Sequence, residues 1–208
     1  MSSTILCYGD SNTYGYDPRS CLGGRYPRSV RWTGRLAEAG YAVHGEGMNG
    51  RSIPRGGGTA AALRLLAGIP CRLLVVQLGV NDLLNDPVLT AEDCARRMES
   101  FLSALLQEGV TAPDRLLLVA PPPCAPGTWV REERLLVQSA RLGAAYRAAA
   151  DRLGIPFANA GDWNVERVFD GVHFSPEGHR AYAAGMRDTL TRLGMLPDAA
   201  GAADPEQI

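Results

Sequence analysis

Residues 72–78 read Arg-Leu-Leu-Val-Val-Gln-Leu and stop at Gly79. A run this apolar has no polar face to turn to water, so a sheet that contains it must be covered on both sides. It is too short for a helix that supports itself and suits a buried strand. The pattern recurs at 4–8, stopped by Gly9, and at 115–120, stopped by Pro121. These strands call for helices between them, because parallel neighbours need a crossover.

The intervening stretches supply those helices. Ser29 is placed to cap a helix over 30–39, stopped by Gly40. Residues 41–46 alternate and read as a second strand. A loop with five glycines spans 47–58, and a short apolar helix follows over 59–67. Thr90 and Asp93 resemble a capping box opening a helix to about residue 108, with Met98, Phe101, Leu102 and Leu105 on one face. A long helix over 131–153 closes at Gly154, and 155–158 is a short last strand. After an irregular stretch over 159–174, Ser175, Pro176 and Glu177 start a final helix that runs to about residue 193. The order predicts a three-layer α/β/α sandwich with a central parallel sheet. One domain is expected over 1–196, with a frayed tail over 197–208.

Composition removes several function classes. The formal net charge is −1, and no polybasic stretch is present, so neither nucleic acid nor a membrane surface is an expected partner. No apolar run approaches the roughly 18 residues of a membrane span. The five cysteines include no C-x-x-C pair, which argues against a disulfide framework or a zinc site. The amino terminus lacks the pattern of a signal peptide, and a cytoplasmic protein with reduced thiols is expected. No metal and no cofactor is expected.

In a sheet of this kind ligands bind beyond the carboxyl ends of the strands, so the residues just past each strand carry the functional information. Three of these ends are unusually polar. They are Gly9-Asp10-Ser11, Gly79-Val80-Asn81-Asp82, and Asp170-Gly171-Val172-His173 ahead of the final helix. Together they hold the parts of an acyl-transfer site. A serine hydroxyl is a weak nucleophile until a base takes its proton. Histidine suits that role near neutral pH. Its other ring nitrogen needs an acceptor, which Asp170 could supply if Gly171 allows a tight turn. The tetrahedral oxyanion needs preorganised donors, for which the Ser11 and Gly50 backbone N–H groups and the Asn81 amide are candidates.

At four blocks the sequence resembles the SGNH hydrolases, also called GDSL esterases and lipases. The blocks are Gly9-Asp10-Ser11, Asn49-Gly50-Arg51-Ser52, Gly79-Val80-Asn81-Asp82 and Asp170-Gly171-Val172-His173, in that order. The resemblance spans residues 5 to about 190. A lone Gly-Asp-Ser would say little, whereas four ordered blocks are specific. The resemblance implies a flavodoxin-like sandwich and a triad of Ser11, Asp170 and His173. It also implies oxyanion donors from Ser11, Gly50 and Asn81. Arg31-Trp32-Thr33-Gly34, Pro121-Pro122-Pro123 and Asp170 to Phe174 look like the arylesterase and acyltransferase branch. Asn12 stands where the motif name has leucine.

The expected function is therefore a serine esterase acting on short-chain aryl, alkyl or sugar acetyl esters. Acyl transfer to alcohols, or lysophospholipase or thioesterase activity, is the alternative on the same site, and a non-catalytic binding module is a remote one. Trp32, Asn12 and Val172 are expected to contact substrate. Trp32, Trp129 and Trp163 are each weighed as pocket walls, with packing favoured for each on its own. His179 and His44 read as structural, and Asp10 and Asp82 as hydrogen-bonding supports. The expected partner is a small-molecule ester, and a homo-oligomer is left open.

Overall fold

A computed structural model describes residues 3–20 and 23–197. Five strands form one parallel sheet: β1 (Ile5–Gly9), β2 (Val43–Gly47), β3 (Leu73–Gln77), β4 (Leu116–Ala120) and β5 (Phe157–Asn159). Their spatial order is β2-β1-β3-β4-β5. The helices are α1 (Ser11–Tyr14), α2 (Trp32–Glu38), α3 (Gly57–Ala67), α4 (Val80–Asn85), α5 (Ala91–Gln107), α6 (Glu133–Leu153) and α7 (Pro176–Arg192).

Every residue of β1, β3 and β4 is buried, as runs without a polar face require. Because strand side chains alternate between faces, each run feeds two cores. Leu6, Leu74, Val76 and Leu118 join the core on the α3, α5 and α6 side, with Met98, Phe101 and Leu142. Ile5, Val75, Leu117 and Val119 pack against Trp32 and Leu36 of α2 and Tyr182, Met186 and Leu190 of α7. Burying each such aliphatic side chain contributes about 1.5–3 kcal/mol. The expected α/β/α sandwich is present, with the flavodoxin-like strand order.

The chain leaves β1 toward β2 on one side and returns to β3 on the other. The order therefore reverses at β1, and a crevice opens above the carboxyl ends of β1 and β3. Gly9 sits in register with Gly47 of β2 and Gln77 of β3. Ser11, Gly50 and Asn81 follow those three aligned positions within a few residues, at one edge of the sheet.

Several boundaries differ from the sequence reading. Ser29 caps nothing: the Pro27 carbonyl accepts from Val30 and Arg31 in a turn, and α2 begins at Trp32. Helix α3 starts inside the glycine run, at Gly57. β5 begins beyond Pro156, which has no N–H to give the ladder. Helices α1 and α4 are additions, of four and six residues. Thr90 and Asp93 do form a reciprocal capping box. The expected frayed tail from 198 onward and Cys21 lie outside the described residues. Among the described residues no helix is long and apolar enough to cross a membrane.

Candidate active site

Asp170 and His173 lie at the tip of a tight hairpin. Arg167 and Phe174 form an antiparallel bridge, Val168 N–H donates to the His173 carbonyl at 2.9 Å, and Gly171 N–H closes the turn on Val168 at 3.0 Å. The turn needs glycine at 171. Its φ is +83°, and a Cβ there would come within 2.1 Å of the Ala125 carbonyl oxygen.

Inside the turn Asp170 Oδ1 accepts the backbone N–H of Val172 at 2.8 Å and of His173 at 2.9 Å. The other oxygen, Oδ2, lies 2.7 Å from His173 Nδ1. Burial alone would push the Asp170 carboxyl up. The imidazole and the two N–H groups outweigh it and hold the group below its ordinary value. An ionised carboxylate can only accept, so Nδ1 donates in this bond, and it is the Nδ1–H tautomer of a neutral ring that leaves Nε2 its lone pair. Nε2 lies 3.0 Å from Ser11 Oγ.

The serine is presented by a sharp exit from β1. Gly9 has no room for a side chain, since a Cβ would sit 2.1 Å from Thr13 Oγ1. Asp10 caps the short helix α1 by accepting Asn12 N–H at 2.9 Å. Asn12 then joins this corner to the histidine hairpin: its amide donates to the Val172 carbonyl at 3.3 Å, and its oxygen accepts Phe174 N–H at 2.9 Å. Both residues flanking His173 are thus tied to the residue after Ser11.

The two remaining blocks are bonded to each other and to β1. Gly50 has φ +72°, and its exposed amide donates to no acceptor among the described residues. Asn81 Nδ2 donates to the Arg51 carbonyl at 3.1 Å, which leaves its second N–H for a ligand. Asp82 Oδ2 accepts Ile53 N–H at 2.9 Å and Oδ1 pairs with Arg97 at 3.2 Å. Arg51 is buried over the Tyr8 ring, 4.2 Å from its centroid. It donates to the Gly9 carbonyl at 2.9 Å, pairs with Glu46 Oε1 at 3.1 Å, and also reaches the Glu46 carbonyl.

These groups fit acyl chemistry, and the family model for GDSL-like lipases and acylhydrolases matches residues 7–181. The chain belongs to that family. It is a carboxylic ester hydrolase. The aryl esterase of M. smegmatis is 30% identical, with 91% of this chain and 99% of that chain covered and a TM-score of 0.80. A carbohydrate acetylesterase from Sinorhizobium meliloti is 28% identical, covering 91% of this chain and 99% of its own, at TM-score 0.77. A lipase/acylhydrolase from Enterococcus faecalis, 22% identical over 96% of this chain and 100% of its own, shares the fold at TM-score 0.64. No curated protein sequence matches the chain.

Within this GDSL-family site, the expectation of substrate contact from three residues needs correction. Trp32 is 1% exposed, stacked near Tyr182, and its indole N–H donates to the Asn12 carbonyl at 3.1 Å. It supports the serine corner from below. The Asn12 side chain is buried, with its nitrogen and its oxygen each bonded to the hairpin. Val172 points into the core. Trp163 packs on Tyr182 and against Gly185. The tryptophan at the site is Trp129, whose ring lies 5.1 Å from the His173 ring. His179 is fully buried, accepting Trp32 N–H at 3.3 Å, and burial followed by the charges of Arg35 and Arg31 lowers it to about 3. It is a neutral packing residue. A cavity of about 770 Å³ lies at the opposite edge of the sheet, between Pro70, Cys71, Arg115 and Met195, and none of the site residues lines it.

Asp10 carries an unpaid electrostatic cost. Burial pushes its carboxyl up from 3.8 to about 6, only partly offset by Asn12 N–H and by His173. A raised folded-state value means that stability is fullest below the unfolded value and is lost as pH rises through about 6. At about 1.4 kcal/mol per unit, the penalty above that window is on the order of 2–3 kcal/mol. Asp10→Asn keeps an oxygen for the cap and removes the charge. Its melting temperature is expected to exceed that of the unaltered chain at pH 8 and to match it near pH 3.5. Its activity is expected to fall, because a negative charge that would favour imidazolium is gone. Equal melting temperatures at pH 8 would sink the assignment.

Proposed function

We propose that the chain hydrolyses short-chain carboxylic esters through an acyl-enzyme on Ser11. The carrying observation is the continuous chain from Asp170 Oδ2 to His173 Nδ1 at 2.7 Å and from His173 Nε2 to Ser11 Oγ at 3.0 Å. Ser11 Oγ attacks the ester carbonyl as its proton passes to Nε2, and Asp170 stabilises the imidazolium. The oxyanion is received by the Ser11 and Gly50 N–H groups and the free N–H of Asn81. His173 returns the proton to the leaving alcohol. A water, deprotonated by the same nitrogen, then releases the acid.

The similarity to an aryl esterase and a carbohydrate acetylesterase supports an acetyl-sized acyl group on an aryl or sugar alcohol. The test is a series of 4-nitrophenyl esters from acetate to octanoate. The ratio kcat/KM is expected to be highest at acetate to butyrate and to fall at least tenfold by octanoate. A rise toward octanoate would reject the short-chain reading.

A further inference from the structure

Two aromatic rings flank the His173 imidazole. The Tyr16 ring centroid lies 4.7 Å from it, with the planes at 59°, and that of Trp129 lies 5.1 Å from it, at 78°. Both are held by backbone bonds to the residues whose chemistry they border. Tyr16 N–H donates to the Ser11 carbonyl at 3.0 Å, and Trp129 N–H donates to the Asp170 carbonyl at 3.1 Å. Gly127 lets the tryptophan loop lie flat on the hairpin, since a Cβ there would come within 2.3 Å of the Asp170 carbonyl carbon. Trp129 is nevertheless 53% exposed. A large apolar ring held in water on an anchored backbone beside a reactive group is a surface suited to being covered by ligand.

We propose that Tyr16 and Trp129 form the subsite for the alcohol half of the ester, and that this subsite takes a flat ring attached to the ester oxygen. The inference rests on the acyl-enzyme reading. In acylation the bond from Ser11 Oγ to the carbonyl carbon forms while the Oγ proton moves to His173 Nε2. When the bond from that carbon to the alcohol oxygen breaks, the same proton passes from Nε2 to the oxygen, and a neutral alcohol leaves. The departing oxygen must then be about 2.6–3.2 Å from Nε2. Whatever that oxygen carries lies beside the imidazole, where the two rings are. The carbonyl oxygen is directed away from the two rings, toward the N–H donors of Gly50 and Asn81. Phenols and the apolar face of a pyranose share the flat surface that such rings receive.

The test compares phenyl acetate, a monoacetylated methyl pyranoside and ethyl acetate on the unaltered chain and on Trp129→Ala, Trp129→Phe and Tyr16→Ala. For Trp129→Ala, the kcat/KM of a ring ester relative to ethyl acetate is expected to fall at least tenfold against the unaltered ratio, equivalent to about 1.4 kcal/mol. Trp129→Phe should restore most of that ratio. A fall in the phenyl arm identifies a phenol as the alcohol, and a fall in the pyranoside arm identifies a sugar. Equal loss on all three esters would overturn the subsite and leave the rings as supports for His173. If the unaltered chain turns over none of the esters, the acyl-enzyme reading fails; if it turns them over and the ratios stay unchanged in Trp129→Ala, the subsite alone fails.

Discussion

Ser11→Ala is expected to lower kcat on an aryl acetate by about 10⁵–10⁶-fold, with KM little changed. The side chain is nearly buried, and its oxygen is placed 3.0 Å from His173 Nε2. The cap of α1 comes from Asp10, so the fold does not depend on the hydroxyl that is removed. A melting temperature within a few degrees of the unaltered chain would confirm that the loss is chemical. The proposed oxyanion donors remain in the variant and are expected to supply the residual rate. Mass spectrometry after treatment with a fluorophosphonate gives a second readout: the unaltered chain should gain one adduct at Ser11 and the variant none. Activity within 100-fold of the unaltered chain would reject Ser11 as the nucleophile.

Asp170→Asn is expected to lower kcat by about 10⁴-fold, through the tautomer of His173. An amide at 170 can face two ways. With its oxygen at the Oδ1 position it keeps the N–H groups of Val172 and His173, which otherwise become buried and unpaired at about 1–3 kcal/mol each. That orientation turns the NH₂ toward Nδ1, which must then accept. The ring proton moves to Nε2, and the nitrogen facing Ser11 can no longer take a proton. The hairpin should stay folded, so the variant separates geometry from proton placement. A loss of less than tenfold would show that Asp170 does not set the tautomer.

The fold was legible because its strands are apolar on both faces, which leaves few ways to cover them. Residues 73–77 could hardly be anything but a central strand. The site blocks were legible because a sheet of this order gathers its strand ends, and because Gly171 marked a turn that brings Asp170 onto His173. What escaped depends on contacts between distant segments. Arg51 stands out in sequence only as a member of the glycine block, yet its partners are the carbonyls of Gly9 on β1 and Glu46 on β2. Trp32 and Trp129 are equivalent as sequence. Only the packing of α2 beneath α1, and of the 121–131 loop on the hairpin, decides which one reaches the histidine. Helices α1 and α4 are too short to show an apolar period.

The clamp that Asn12 makes on Val172 and Phe174 spans 160 and 162 positions of chain. Contacts so far apart close late, because the entropy of forming the loop must be met before the contact returns anything. The proposed nucleophile leaves the ribosome 162 residues ahead of its proposed base. A nascent chain is therefore expected to stay chemically silent until the segment carrying His173 and α7 has emerged. The serine meets its base only once the hairpin and α7 have docked, so hydrolytic activity appears as the closing event of folding.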